Sequence, residues 1–181
     1  MSPRKPDPVR ALLPIFASVT LAFVAPITSC TPAATGGASQ GGQATDFTVT
    51  DIDGKTLNLS DYLGKKAILI DFWATWCKPC TAEMVHLQKF YEARKEGFVV
   101  IAVSIDNGDT EAQVAPYIKG KGYTFPVVVD SDSRIQNLYN PRKAAPYSVL
   151  IDKHGKIVQR KEGYNAGEEK QIEADIDAAM K

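Results

Sequence analysis

Two apolar runs constrain this chain more than any other feature. Ala67–Trp73 and Phe98–Ile105 are nearly unbroken stretches of aliphatic and aromatic residues. They are far too short to span a bilayer, and they lack the alternation of a half-exposed strand. Runs of this kind are strands buried on both faces, as in parallel sheets covered by helices. Between them, Met84, Leu87, Phe90 and Tyr91 recur at three- and four-residue spacing, which predicts a helix from about Pro79 to Lys95 with an inner apolar face. Gly97 stands just past its end. Strand, helix and strand form the nucleus of an α/β domain.

The flanking segments extend that nucleus. Phe47–Val49 and Thr56–Leu59 are short alternating runs around Asp53-Gly54, a hairpin signal, and Ser60–Gly64 reads as a short helical turn. Thr110–Lys119 reads as a helix stopped by Gly120 and Gly122. Val127–Val129 is a short strand and Ser133–Tyr139 a short helix. Tyr147–Ile151 and Ile157–Arg160 predict a hairpin around residues 152–155, followed by an amphipathic helix from about Glu168 to Met180. The fold class is therefore an α/β sandwich with a mixed sheet, starting near Asp46.

The first 29 residues read differently. Arg4, Lys5 and Arg10 precede an apolar stretch from Ala11 to Ile27, the layout of a secretory signal. Pro14 and Pro26 interrupt the stretch, which leaves a cleaved signal and an uncleaved anchor as the two readings. Ile27-Thr28-Ser29-Cys30 resembles the bacterial lipobox, which implies cleavage before Cys30 and a lipid on its sulfur. Residues 30–45 contain no aromatic and no charged side chain, so they are expected to be a flexible tether spanning roughly 20–25 Å. The domain organisation expected is a signal at 1–29, a lipidated tether at 30–45 and a folded domain at 46–181.

The whole chain carries 21 basic and 21 acidic residues. Loss of residues 1–29 removes three of the former and one of the latter, leaving 18 against 20. This balance gives no electrostatic case for a nucleic-acid partner. Of the three cysteines, Cys30 is assigned to the lipid, which leaves Cys77 and Cys80 as a pair and no structural disulfide to support the fold.

Cys77-Lys78-Pro79-Cys80 lies where a buried strand meets a helix start. Unpaired N–H groups and the helix dipole at such a point favour an anion and lower a thiol pKa from its free value of about 8.5. Pro79 suits the first helical turn, where its missing N–H costs nothing, and Lys78 adds a positive charge. Cys77 is expected to be the exposed attacking thiolate and Cys80 the resolving thiol. A zinc site would want four ligands, and His86 and His154 stand isolated in the sequence, so no metal is expected. His86 reads as a surface helix residue, His154 as a turn residue, and Trp73 and Trp76 as packing and site rim.

At these residues the resemblance becomes specific. Asp71–Glu83 resembles the thioredoxin superfamily, and residues 97–106 and 148–158 are similar to its TlpA/ResA-like branch of membrane-tethered disulfide reductases. The resemblance implies a three-layer α/β/α thioredoxin-like sandwich with an N-terminal β-hairpin and a central βα insertion at about Asp106–Val129. It implies that Pro146 is a cis-proline and that the backbone of Ala145 pairs with substrate beside Trp76, Lys78 and Pro79. It also implies that Asp71 and Glu83 are buried carboxyls serving the proton of Cys80, with Glu83 favoured because it lies one helical turn beyond that residue. Val85 departs from the family pattern, which has proline there, and puts the aim of the distal helix in question.

The function expected is a monomeric, extracytoplasmic oxidoreductase, lipid-anchored to a bacterial membrane. It would need no cofactor beyond the Cys77–Cys80 disulfide. Its partners by resemblance are protein disulfides, apocytochrome c among them, and a membrane thiol donor of the CcdA or DsbD kind. Two other classes of function use cysteines on a related fold. A Cu(I)-handling module could use the two thiolates with Met84 or His86, but relatives of that kind separate their cysteines by three residues. A thiol peroxidase would carry its cysteine in a Pro/Thr-rich loop, which this motif is not.

Overall fold

The structure is a computed structural model and describes residues 41–181. The signal peptide, Cys30 and most of the tether lie outside the described residues. The N-terminal hairpin pairs β1 (Thr48–Thr50) with β2 (Thr56–Asn58) and leads through a 3-10 turn, Leu59–Asp61, into β3 (Ala67–Trp73). Then follow α1 (Lys78–Arg94), β4 (Phe98–Ser104), a 3-10 segment (Gly108–Gln113), α2 (Val114–Lys121) and β5 (Val127–Val129). The chain closes with α3 (Arg134–Tyr139), β6 (Tyr147–Ile151), β7 (Ile157–Glu162) and α4 (Glu169–Ala179).

The main sheet has the order β5-β4-β3-β6-β7. β3, β4 and β5 run parallel, whereas β6 and β7 are antiparallel to their neighbours. All seven residues of β3 and all seven of β4 are buried, as their apolar runs require. Alternate side chains sort to opposite faces. Ala67, Leu69 and Trp73 pack with Met84 and Leu87 of α1 and Ile172 and Ile176 of α4. Ile68, Ile70 and Phe72 pack on the other side with Ile135 and Tyr139 of α3 and Phe47, Leu57 and Leu59 of the N-terminal segment. The result is the helix–sheet–helix sandwich expected, with the βα insertion expected at Asp106–Val129 forming the edge of the sheet through β5.

Three expectations are corrected. The segment read as helix Thr110–Lys119 is a 3-10 segment up to Gln113, with α-helix only from Val114. Pro116 cannot donate a backbone hydrogen bond, so regular helix is accommodated only with that proline in its first turn. Gly120 does not stop α2. Gly122 does, at φ +69°, a left-handed conformation that glycine adopts without steric cost. Strand β7 runs to Glu162 rather than Arg160, because β6 offers partners that far along: Tyr147 faces Glu162 and Ser148 faces Lys161.

The third correction concerns the tether. Residues 41–45 belong to the folded body, not to a free linker. Gly41 N–H donates to Ile157 O at 3.1 Å, Ile157 N–H to Gly42 O at 2.9 Å and Ala44 N–H to Gly155 O at 2.8 Å. Tyr139 Oη donates to Thr45 O. β7 is an edge strand, and its unpaired backbone groups recruit a neighbouring segment without needing apolar side chains from it.

Candidate active site

Cys77 occupies the N-cap of α1, and Cys77 Sγ accepts a hydrogen bond from Cys80 N–H at 3.3 Å. The first turn contains no acidic residue, and Pro79 sits within it. Cys80 N–H and the positive end of the helix dipole are therefore directed at this sulfur, and after reduction they would face a thiolate. Here the two cysteines are joined in a disulfide with a Cα–Cα distance of 5.3 Å. Cys77 was expected to be exposed but retains only 5% of its surface, because its sulfur is drawn inward to its partner. Cys80 retains none, so attack from solvent can reach only Cys77.

Trp76 stands beside the pair at 61% exposure, and Lys78 and Pro79 are also exposed. Helix α1 is unbroken from Lys78 to Arg94, with Val85 on its outer face. The segment leading into the cysteines is held by a residue that sequence reasoning did not single out. Buried Asp106 accepts hydrogen bonds from Thr75 N–H (2.9 Å), Thr75 Oγ1 (2.6 Å) and Ser104 Oγ (2.8 Å). Ile105 N–H donates to Trp73 O at 2.8 Å. An aspartate just past a buried strand was the only signal available for it.

The Ala145–Pro146 peptide bond is cis, as expected. β6 begins at the next residue, and its Tyr147 pairs with Phe72, which brings Pro146 to the end of β3 from which the cysteine segment departs. Pro146 is buried and Ala145 half-buried. Pro146 O accepts from Gly163 N–H at 2.8 Å, which ties this loop to the one following β7.

Two carboxyl groups lie behind the disulfide. Asp71 belongs to the Leu69–Trp73 face of β3, the face packed on α1, and is 1% exposed. Neither of its oxygens has a hydrogen-bond partner among the described residues. Such a group is sustainable in apolar surroundings only when neutral. Burial, and then the neighbouring Glu83 charge, push its pKa well above the ordinary aspartate range. Glu83 is 3% exposed on the inner side of α1, and burial raises its pKa to about 7. The positive charge of Lys161 works against that rise and the negative charge of Glu168 adds to it. Two carboxyls that share one pocket do not ionise together. Glu83 can thus change its charge near neutral pH, beside an Asp71 whose pKa is itself held well above the ordinary aspartate range.

His86 is half-buried, not a plain surface residue. It meets the Tyr164 ring at 6.4 Å between centroids, and its Nε2 lies 3.7 Å from Glu169 Oε1. His154 is exposed in the β6–β7 turn. Among the described residues, no three His, Cys, Asp or Glu side chains are grouped to hold a metal, and no helix is long and apolar enough to cross a membrane.

The comparisons with known proteins agree with this geometry. Residues 40–160 match the AhpC/TSA family. The thiol-disulfide oxidoreductase ResA of Geobacillus kaustophilus is 38% identical over 120 residues, which cover 66% of this chain and 67% of that protein. A candidate thiol:disulfide interchange protein DsbE from Chlorobium tepidum is 31% identical, with a TM-score of 0.68 over 79% of this chain and 99% of that one. The exposed lipoprotein thioredoxin of Streptococcus pneumoniae is 31% identical, with a TM-score of 0.64 over 74% of this chain and 99% of that one. The first two of these proteins are named for thiol–disulfide exchange and the third as a thioredoxin, and the two solved structures share the fold described above. The chain belongs to the AhpC/TSA family and is a thioredoxin-fold thiol–disulfide oxidoreductase of the ResA kind.

Proposed function

We propose that this chain is an extracytoplasmic, lipid-anchored reductase of protein disulfides that works through Cys77 and Cys80, with Glu83 as the proton-transfer group. The observation that carries the reading is the asymmetry of the pair. Cys77 alone keeps accessible surface and sits at the helix N-cap, whereas Cys80 is enclosed near two buried carboxyls. In the reduced protein, the Cys77 thiolate attacks one sulfur of a substrate disulfide and expels the other as a thiolate, forming a mixed disulfide. Cys80 passes its proton to Glu83 and attacks Cys77 Sγ. The Cys77–Cys80 bond forms, the mixed disulfide breaks, and the substrate departs with two electrons more. A membrane thiol donor of the CcdA or DsbD kind then returns two electrons to the pair, and apocytochrome c is a substrate by resemblance.

Substrate docks along the cis-proline loop. The half-buried Ala145 precedes the cis bond to Pro146, where an extended chain can pair with its backbone. Trp76 supplies an apolar rim. The location rests on the Ile27–Cys30 lipobox and is supported by the likeness to a pneumococcal exposed lipoprotein thioredoxin. The test is insulin reduction together with trapping. Cys77→Ala is expected to abolish turnover, and Cys80→Ala to accumulate mixed disulfides with substrate. Undiminished turnover by Cys77→Ala would overturn the reading. A measured potential below about −250 mV supports a reductase, and one above about −150 mV an oxidant.

A further inference from the structure

Behind the disulfide lies a charged cluster that the exchange steps above do not use. Asp71, Ser148 and Lys161 stand opposite one another across β3, β6 and β7. Directly paired residues of antiparallel strands project to the same face, so Lys161 rises on the side of the sheet that carries α1 and α4. Its side chain is only a quarter exposed, and its ammonium pairs with Glu168. Glu168 is fixed in turn, accepting from Asn165 N–H at 3.2 Å and Asn165 Nδ2 at 3.1 Å. Lys161 also lies 5.8 Å from the centroid of the Tyr164 ring. Two residues on from Lys161, Gly163 N–H holds Pro146 O, so this loop touches the cis-proline edge as well.

We propose that Lys161 is a positioning residue of the exchange reaction, a cation held by Glu168 beside Glu83 that sets how readily Glu83 takes the proton of Cys80. The proposal rests on the exchange reading and deepens it. The groups that interact electrostatically with Glu83 are Asp71 from β3, Lys161 from β7, and Tyr164 and Glu168 from the segment between β7 and α4. His86 and Glu169 form a second pair beside Tyr164. When Glu83 is ionised, Lys161 serves two carboxylates, and when Glu83 is protonated it serves Glu168 alone. Lys161 thus opposes the burial that raises the Glu83 pKa, while Glu168 adds to that rise.

The cluster can be tested by following the Glu83 carboxyl directly, by NMR of 13C-labelled glutamate in the oxidised protein. Its midpoint in the wild type is expected near 7. Lys161→Met, with Lys161→Gln as the alternative should Met disturb folding, is expected to move it up by roughly one pH unit. Glu168→Gln is expected to move it down, and Lys161→Arg to leave it in place. A residue of merely structural importance would not give shifts of opposite sign in the two variants. Midpoints that stay put, or move the same way in both, overturn the proposal. So does a moved midpoint with no matching displacement in the pH profile of disulfide exchange. If the exchange reading itself fails, the wild type does not reduce insulin while the carboxyl shifts remain, so the two failures are separable.

Discussion

Glu83 shows what a single residue contributes. Its carboxyl protonates near 7 in the folded chain against 4.5 for an ordinary glutamate. Between those values the folded state binds more protons than the unfolded one, so stability falls as pH rises through the window. The full excursion is of order 3 kcal/mol, present below the ordinary glutamate range and lost above about 7. Urea unfolding of the oxidised protein from pH 5 to 8 should therefore show a falling midpoint, and Glu83→Gln should flatten the curve and be the more stable form at pH 8. An unaltered slope in Glu83→Gln would refute the assignment. Asp71 and Glu83 were legible through the resemblance to the thioredoxin superfamily, to which the sequence added only that a carboxylate inside an apolar strand is anomalous and that Glu83 follows Cys80 by one helical turn. Lys161 was not legible, since an exposed-looking lysine past the expected end of a strand carries no local mark.

At the scale of elements, the reactive end of α1 depends on the strands that precede and follow it. Helix α1 begins at Lys78 because Cys77 caps it, but the segment from Ala74 to Trp76 is aimed by Asp106, which lies beyond β4. Asp106→Ala removes three hydrogen bonds and leaves a part-buried amide and two hydroxyls without that partner. A loss of roughly 1–3 kcal/mol is expected by denaturant unfolding, with slower insulin reduction. Asp106→Asn should recover part of both. Element types and their order were legible, because hydrophobic period, glycine stops and cysteine spacing are local signals. The start of α2 was missed because Val114 and Ile118 satisfy the helical period whether or not the turn before them is regular helix. The extension of β7 to Glu162 was missed for a different reason: charged residues Arg160–Glu162 extend a strand only where a neighbour offers register.

For the molecule as a whole, the folded body and its location are separate questions. Residues 41–45 are part of the body, which shortens the free linker implied by the lipobox reading. Cys30→Ser in the full-length chain should shift the protein from the membrane to the soluble fraction on fractionation and leave insulin reduction by the soluble form intact. Retention at the membrane would overturn the lipid assignment. The sequence by itself determined the sandwich class, the order of its strands and helices along the chain, and the identity of the redox pair. Each of these is written in spacings of a few residues, where side-chain period and helix capping operate. Tertiary structure alone decided which distant groups meet that pair. Thr75 finds Asp106 across 31 residues, and Asp71 comes into line with Ser148 and Lys161 through strand pairing. Those contacts follow from register and loop closure, free energies shared by the whole sheet that no short window of sequence contains.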